Sequence, residues 1–327
     1  MKQYSLLFIA LLALQLCAAE ANTLKLVKTI PLPDVRGRID HFALDAPGQR
    51  LFVAALGNNS VEVIDLTSGR RVRTIGDCST PQGVAFVPEA NRLFIANGGS
   101  GTVTMLDGTN FKTLRTLGDL PDADNVRYDA AAGLIYVGYG SGALAVISAT
   151  NGALLASIKL AGHPESFQLE KNGSRIFVNV PDANLVAVVD RDKRAVVATW
   201  PMGKFHSNFP MALDEASHRL FVGCRHPARL VTFDTNSGKE AGDVEISGDA
   251  DDVFYDASRK RIYVSCGAGF IDVIDQRDAD SYAVRERVPT VSGARTSFYS
   301  PELDEFFLAV RAGLISGSAE VRVFKVR

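Results

Sequence analysis

An apolar-aromatic-apolar triplet recurs seven times along the chain, centred on Phe52, Phe94, Tyr136, Phe177, Phe221, Tyr263 and Phe307. Neighbouring centres lie 42, 42, 41, 44, 42 and 44 residues apart. A period of that length, held over nearly the whole sequence, is that of propeller blades, small sheets that bury their faces only against their neighbours. One blade per triplet predicts an all-β fold, a seven-bladed β-propeller with four antiparallel strands per blade. In the first period His41-Phe42-Ala43-Leu44 alternates as a strand, Asp45-Ala46-Pro47-Gly48 turns, and Leu51-Phe52-Val53-Ala54 forms the second strand. Val61 to Asp65 supplies the third and Arg70 to Ile75 the outermost. The third-strand ending recurs as Asp107, Ser148, Asp190, Asp234 and Asp275, each 12 or 13 residues after its aromatic.

The seventh period reaches its third strand at Glu320-Val321-Arg322-Val323-Phe324, with only three residues after it. An uncovered outer strand would expose a row of backbone donors and acceptors. Leu24 to Ile30 alternates as the missing strand should, and is predicted to close the ring. About five extra residues around Ala312 to Ser318 predict a loop protruding on one face.

The repeat accounts for residues 22–327, which are read as one propeller domain. Hydrophobic residues at 46% and charged residues at 22% fit a soluble globular chain rather than a disordered or membrane-embedded one. A net charge of −2 gives no overall drive toward nucleic acid or anionic lipid, so nucleic acid is not the expected partner. At the start, Met1-Lys2 is followed by the apolar run Leu6 to Leu16 and by small residues at Cys17-Ala18-Ala19 or Ala19-Glu20-Ala21. This is the pattern of a secretory signal peptide, residues 1–19, with cleavage as late as 21. The run is far shorter than the roughly 20 residues that span a bilayer. A periplasmic or secreted protein without stable membrane insertion is therefore expected. Leu16 stands where a lipid-attachment signal before Cys17 would carry a small residue. Cys78, Cys224 and Cys266 remain, and the last two occupy equivalent places in adjacent blades, farther apart than a disulfide reaches. They are expected to be buried free thiols.

The segments Leu93-Phe94-Ile95-Ala96-Asn97-Gly98-Gly99-Ser100-Gly101-Thr102-Val103 and Ile135-Tyr136-Val137-Gly138, the latter with Val146-Ile147, look like YVTN-type repeats. The chain resembles periplasmic YncE-like propellers over essentially all of its mature sequence. The resemblance implies the propeller fold; it implies no common reaction, because propellers host binding, scaffolding and catalysis alike. Trp200 is the single tryptophan, so the tryptophan docking motifs of quinoprotein propellers have no counterpart.

A propeller gathers corresponding positions of every blade around one channel. Twelve residues before each aromatic stand Asp40, Gln82, Asp124, Glu165, Phe209, Asp251 and Arg295. The next position reads His41, Gly83, Asn125, Ser166, Pro210, Asp252 and Thr296, and His163, His206 and Asn208 lie just upstream. This concentration of polar groups predicts a binding rim at the channel mouth. Its residues are Asp40, His41, Gln82, Asp124, Asn125, His163, Glu165, Asn208, Asp251, Asp252 and Arg295. The expected occupant is an unidentified ligand, peptide or partner protein, with no reaction assigned. Rim charges can equally bridge blades, and Arg295 is expected to clamp the acids of blades one and six. The alternative is a metal-dependent hydrolase, lactonase-like by analogy with six-bladed calcium lactonases. In it Asp40, Asp124, Glu165 and Asp252 hold a divalent ion and His41 is the base. Ser166 lacks a GxSxG setting, and Gly98-Gly99-Ser100-Gly101 joins two strands as a hairpin rather than opening a helix.

Overall fold

The computed structural model describes residues 23–313 and 317–327. The leader expected over 1–21 and the centre of the loop expected around Ala312 to Ser318 lie outside the described residues. Seven four-stranded antiparallel sheets form the blades of a propeller. Blade one runs outward from the channel as Phe42–Asp45, Arg50–Ala55, Ser60–Asp65 and Arg70–Ile75. Among the described residues there is no α-helix, only single 3-10 turns at Leu56–Asn58 and Pro181–Ala183, and no helix long and apolar enough to cross a membrane.

Alternation along each strand gives a blade two apolar faces, and both are buried against neighbours. Seven hydrophobic clusters result, one at each interface between adjacent blades. The periodic aromatics supply one ring to each cluster, and none is more than 2% exposed. Phe52 stacks on Phe86 of blade two at 5.5 Å, Phe221 meets Tyr255 of blade six at 5.6 Å, and Tyr263 meets Tyr299 of blade seven at 5.2 Å. Cys78, Cys224 and Cys266 are buried free thiols, and burial pushes Cys78 up to about 11 and Cys224 up to about 12.

The recurrent third-strand aspartate has a local cause. Its carboxylate accepts backbone N–H groups of the following turn: Asp65 from Ser68 at 2.6 Å, Asp107 from Thr109 at 3.0 Å, Asp190 from Lys193 at 2.9 Å and Asp234 from Ser237 at 2.8 Å. Such side-chain turns preorganise the outer hairpin. Blade six departs from the expected ending at Asp275. Its third strand runs on to Asp278, which accepts the N–H of Asp280 at 2.9 Å.

Leu24–Leu32 closes the ring, antiparallel to Ala319–Val326, with Leu24 opposite Val326 and Leu32 opposite Ala319. It is two residues longer than the sequence pattern indicates, and a register shift between Leu26 and Lys28 interrupts its alternation. Ile30 and Leu32 are wholly buried in the cluster between blades seven and one, whereas Val27 is 51% exposed. Beyond the strand, the Arg327 N–H donates to the Thr23 carbonyl at 2.9 Å and the Thr23 N–H to Glu286 at 2.9 Å. Removing the buried side chain should therefore open the ring energetically: Ile30→Ala is expected to cost about 2–5 kcal/mol. Val27→Ala should stay within about 0.5 kcal/mol. Urea midpoints at unchanged slope check both values.

Candidate functional site

The mouth of the channel lies where the innermost strands begin. In three blades a reciprocal pair of backbone bonds fixes the rim register against the second strand. Asp40 donates to Ala54 at 2.7 Å and Ala54 to His41 at 3.0 Å; Asp124 and Asn125 pair likewise with Gly138 at 2.9 and 3.0 Å. Glu165 and Ser166 pair with Asn179 at 3.0 Å each way. In blade two the position after the rim residue is Gly83, where a Cβ would lie 2.1 Å from the Asp124 carbonyl oxygen. Glycine there lets the blade-three rim come close.

A small cavity of about 50 Å³ sits in the mouth. Six of the eleven residues expected at the rim line it: Asp40, His41, Asp124, Asn125, Glu165 and Asp251. Arg38, Ser166 and Phe209 complete its wall. The other five residues lie outside the lining. Gln82 donates to Asp122 at 3.2 Å and to the Ala123 carbonyl at 3.3 Å. Asn208 is wholly buried and braces blade five to blade four, donating to Asn179 at 3.0 Å and to the Leu185 carbonyl at 3.1 Å. Asp252 accepts the Ser297 N–H at 2.7 Å. His163 and Arg295 act through ion pairs.

Those ion pairs divide the rim. Arg38 holds Asp40 at 2.5 Å within blade one. Arg225 holds Asp251 at 2.5 Å while its guanidinium lies 4.2 Å from the Phe209 ring centre. Of the acids of blades one and six that Arg295 is expected to clamp, it holds that of blade six and not that of blade one. It grips Asp249 at 2.6 and 2.8 Å and Asp251 at 3.2 Å, both from blade six, because Asp40 is already taken by Arg38. The second site-building pattern thus escaped the register first read. Arg38, Asp122, His163 and Asp249 all stand fourteen residues before their aromatics in blades one, three, four and six, and Arg225 stands four after. Reading those two further registers would have found Arg38, Asp122, Asp249 and Arg225; His163 is already among the rim residues.

The side of the mouth formed by blades three and four is different. His163 Nδ1 donates to the Gly140 carbonyl at 2.6 Å, leaving Nε2 4.0 Å from Asp124. Asp124, helped by that carbonyl and opposed by burial, pushes His163 up to about 9. Burial, followed by the charge of Asp124, pushes Glu165 up to about 7. Burial likewise raises Asp40 and holds Asp252 well above the usual carboxylate range, with Asp251 adding to the latter. His41 Nε2 stands 3.8 Å from both Asp40 and Asp124. Asp124 Oδ1 and Asn125 Oδ1 are buried without a hydrogen-bond partner among the described residues. Among those residues no three His, Cys, Asp or Glu groups stand close enough together to hold a metal ion, so Asp40, Asp124, Glu165 and Asp252 do not form a ready cage.

No family model and no curated protein matches this sequence. Solved structures do match. A chain of a mitotic checkpoint complex superposes with a TM-score of 0.79 at 13% identity, covering 100% of this chain and 99% of that one. A chain of Kuenenia stuttgartiensis hydrazine synthase gives 0.74 at 16%, covering 88% of this chain and 96% of that one. At these identities the likeness shows the fold alone, a seven-bladed β-propeller.

The raised Glu165 carries a signed pH dependence. Titrating at about 7 in the folded chain against an ordinary 4.5, it makes the folded state bind more protons between those values. Its ionisation therefore lowers stability as pH rises through that window. His163, also raised, works in the same direction over a higher window: the stability it contributes below pH 6.5 is lost as pH rises through about 9. Glu165→Gln should raise the Tm relative to the parent at pH 8 and leave it nearly unchanged at pH 5. Equal Tm differences at the two pH values would show that Glu165 is an ordinary carboxyl.

Proposed function

We propose that this protein is an exported propeller that binds a ligand at the channel mouth and catalyses no reaction of its own. The occupant is a small molecule, a peptide or a side chain of a partner protein. One observation carries the reading: Asp124 and Asn125 line a small cavity at the rim, and each has a buried acceptor with no hydrogen-bond partner among the described residues. An unpartnered buried polar atom costs about 1–3 kcal/mol, a cost that a bound group with donors removes. Export to the periplasm or beyond rests on the leader pattern of residues 1–21 and on the resemblance to YVTN-repeat, YncE-like propellers.

A metal-dependent hydrolase is the second reading. Glu165, at about 7 beside His163, is favoured as a proton-exchanging group at neutral pH. In that reading Asp40, Asp124, Glu165 and Asp252 would hold a divalent ion and His41 would serve as base.

Material purified from the exporting cell without chelators separates the two. Native mass spectrometry and elemental analysis are run on the parent and on Asp124→Ala and Glu165→Ala. A binding module should carry a retained organic mass, or none, with less than about a tenth of an equivalent of metal, and should keep its Tm after chelation. A near-stoichiometric divalent ion lost in both variants would replace the first reading with the second.

A further inference from the structure

Resting on the rim-binding reading, we propose that the group seated in the mouth cavity is a primary ammonium, held by Asp124, Asn125 and Glu165. The argument begins with which rim groups are already satisfied. Asp40 is paired with Arg38, and Asp251 with Arg225 and Arg295. Asp252 accepts a backbone N–H. What remains lies on blades three and four. Asn125 is 2% exposed, lines the cavity, and its side chain makes no hydrogen bond among the described residues. Asp124 Oδ1 is buried and equally unpartnered, the His41 Nε2 atom standing 3.8 Å away, too far for a hydrogen bond. The Glu165 carboxylate lines the same cavity with neither a hydrogen bond nor an ion pair to any described residue.

Unpartnered oxygens on Asp124 and Asn125, with the Glu165 carboxylate beside them, define the complement. An alkylammonium offers three N–H donors and no acceptor, and carries the positive charge that two carboxylates beside one imidazolium call for. A guanidinium needs a planar fork of carboxylate oxygens, and the rim acids placed for that are occupied by its own arginines. A calcium ion takes six to eight oxygens at about 2.3–2.6 Å, and no three acidic or imidazole groups here approach that arrangement. A carboxylate or phosphate would be set against the like charges of Asp124 and Glu165. The cavity of about 50 Å³ admits a head group and little more, so the rest of the molecule extends out through the mouth.

Two sources carry this head group: a free organic amine, or the lysine side chain of a peptide. The test is titration of the mature, isotope-labelled protein at pH 8, followed by amide NMR and calorimetry. The probes are propylamine, a short peptide with one lysine, propanol, propionate and calcium chloride. Saturable shifts at Asp124, Asn125 and Glu165 are expected with propylamine and the lysine peptide. Propanol and propionate should bind at least tenfold more weakly. Glu165→Gln and Asp124→Asn, near-isosteric and checked by circular dichroism, should each weaken amine binding at least tenfold. Asn125→Asp should strengthen it, and if that variant fails to fold, the other two decide. Tighter binding of the lysine peptide than of propylamine assigns the head group to a peptide; equal binding assigns it to a free amine.

Rim shifts with propionate, propanol or calcium but not with propylamine would overturn the ammonium assignment while leaving the rim as a binding site. Silence of the rim toward every probe, with no mass retained on the exported protein, would overturn both.

Discussion

Everything in this molecule hangs on the burial of one aromatic ring at each interface between blades. A four-stranded sheet with two apolar faces has no stable existence alone. Each Phe or Tyr of the ladder removes about 150–250 Å² from water when it is enclosed by the adjacent blade. At about 25 cal/mol per Å² such a side chain supplies several kcal/mol, and it does so only if the neighbour is present. Seven interfaces therefore require a closed circle, and the seventh exists only because Ile30 and Leu32 arrive from the other end of the chain to pack with Phe307. Ring closure, which places residues some 290 positions apart in the same sheet, is thus the condition for every other contact.

That closed ring has two ends, and the chain uses carboxylates differently at each. Away from the mouth, where first strands turn into second strands, Asp45, Asp129, Asp214 and Asp256 accept turn N–H groups of Gly48, Ala132, Ser217 and Ser258. Arg50 and Arg259 add charge-assisted bonds to Asp45 and Asp256. These acids fold the hairpins and are consumed in doing so. At the mouth the corresponding loops are held by backbone bonds instead, which frees the side chains of Asp124, Asn125 and Glu165 from any role in shaping the turn.

The fold was legible because its cause is periodic. An aromatic that must be enclosed once per blade appears once per period, and strand boundaries follow from turn chemistry close in sequence. The rim was partly legible for the same reason, since the position twelve before each aromatic marks the start of an innermost strand in every blade. Partnership within the rim was not. Whether Arg295 reaches Asp40 or Asp249 depends on how blades are inclined across the channel, and nothing in a local pattern encodes that. Asn208 shows the other limit: a polar residue one position upstream of that offset joins blades four and five and is not among the cavity-lining residues. The blade-six strand overrunning Asp275 has a similar origin, since Asp278 offers a second turn-forming carboxylate three residues later.

Charge is distributed unevenly around the mouth, and the asymmetry follows from the register. From blade five through blade seven to blade one, Asp40, Asp249 and Asp251 each face an arginine of their own or an adjacent blade, and Asp252 accepts a backbone N–H. Those pairs are internally neutral, hold their geometry, and offer little to a ligand that would have to displace a bidentate guanidinium. At blades three and four, Gly83 of blade two packs on the Asp124 carbonyl and Gly138 on Pro164, and Arg127 acts on Asp124 through its charge without an ion pair. The carboxylates of those blades are left with two imidazoles at 3.8 to 4.0 Å, close enough to attract and too distant to saturate an oxygen. A group entering the channel thus meets one arc that is electrostatically complete and one that is not. In the proposed binding mode that asymmetry would orient the group, its positive end turned toward Asp124 and Glu165.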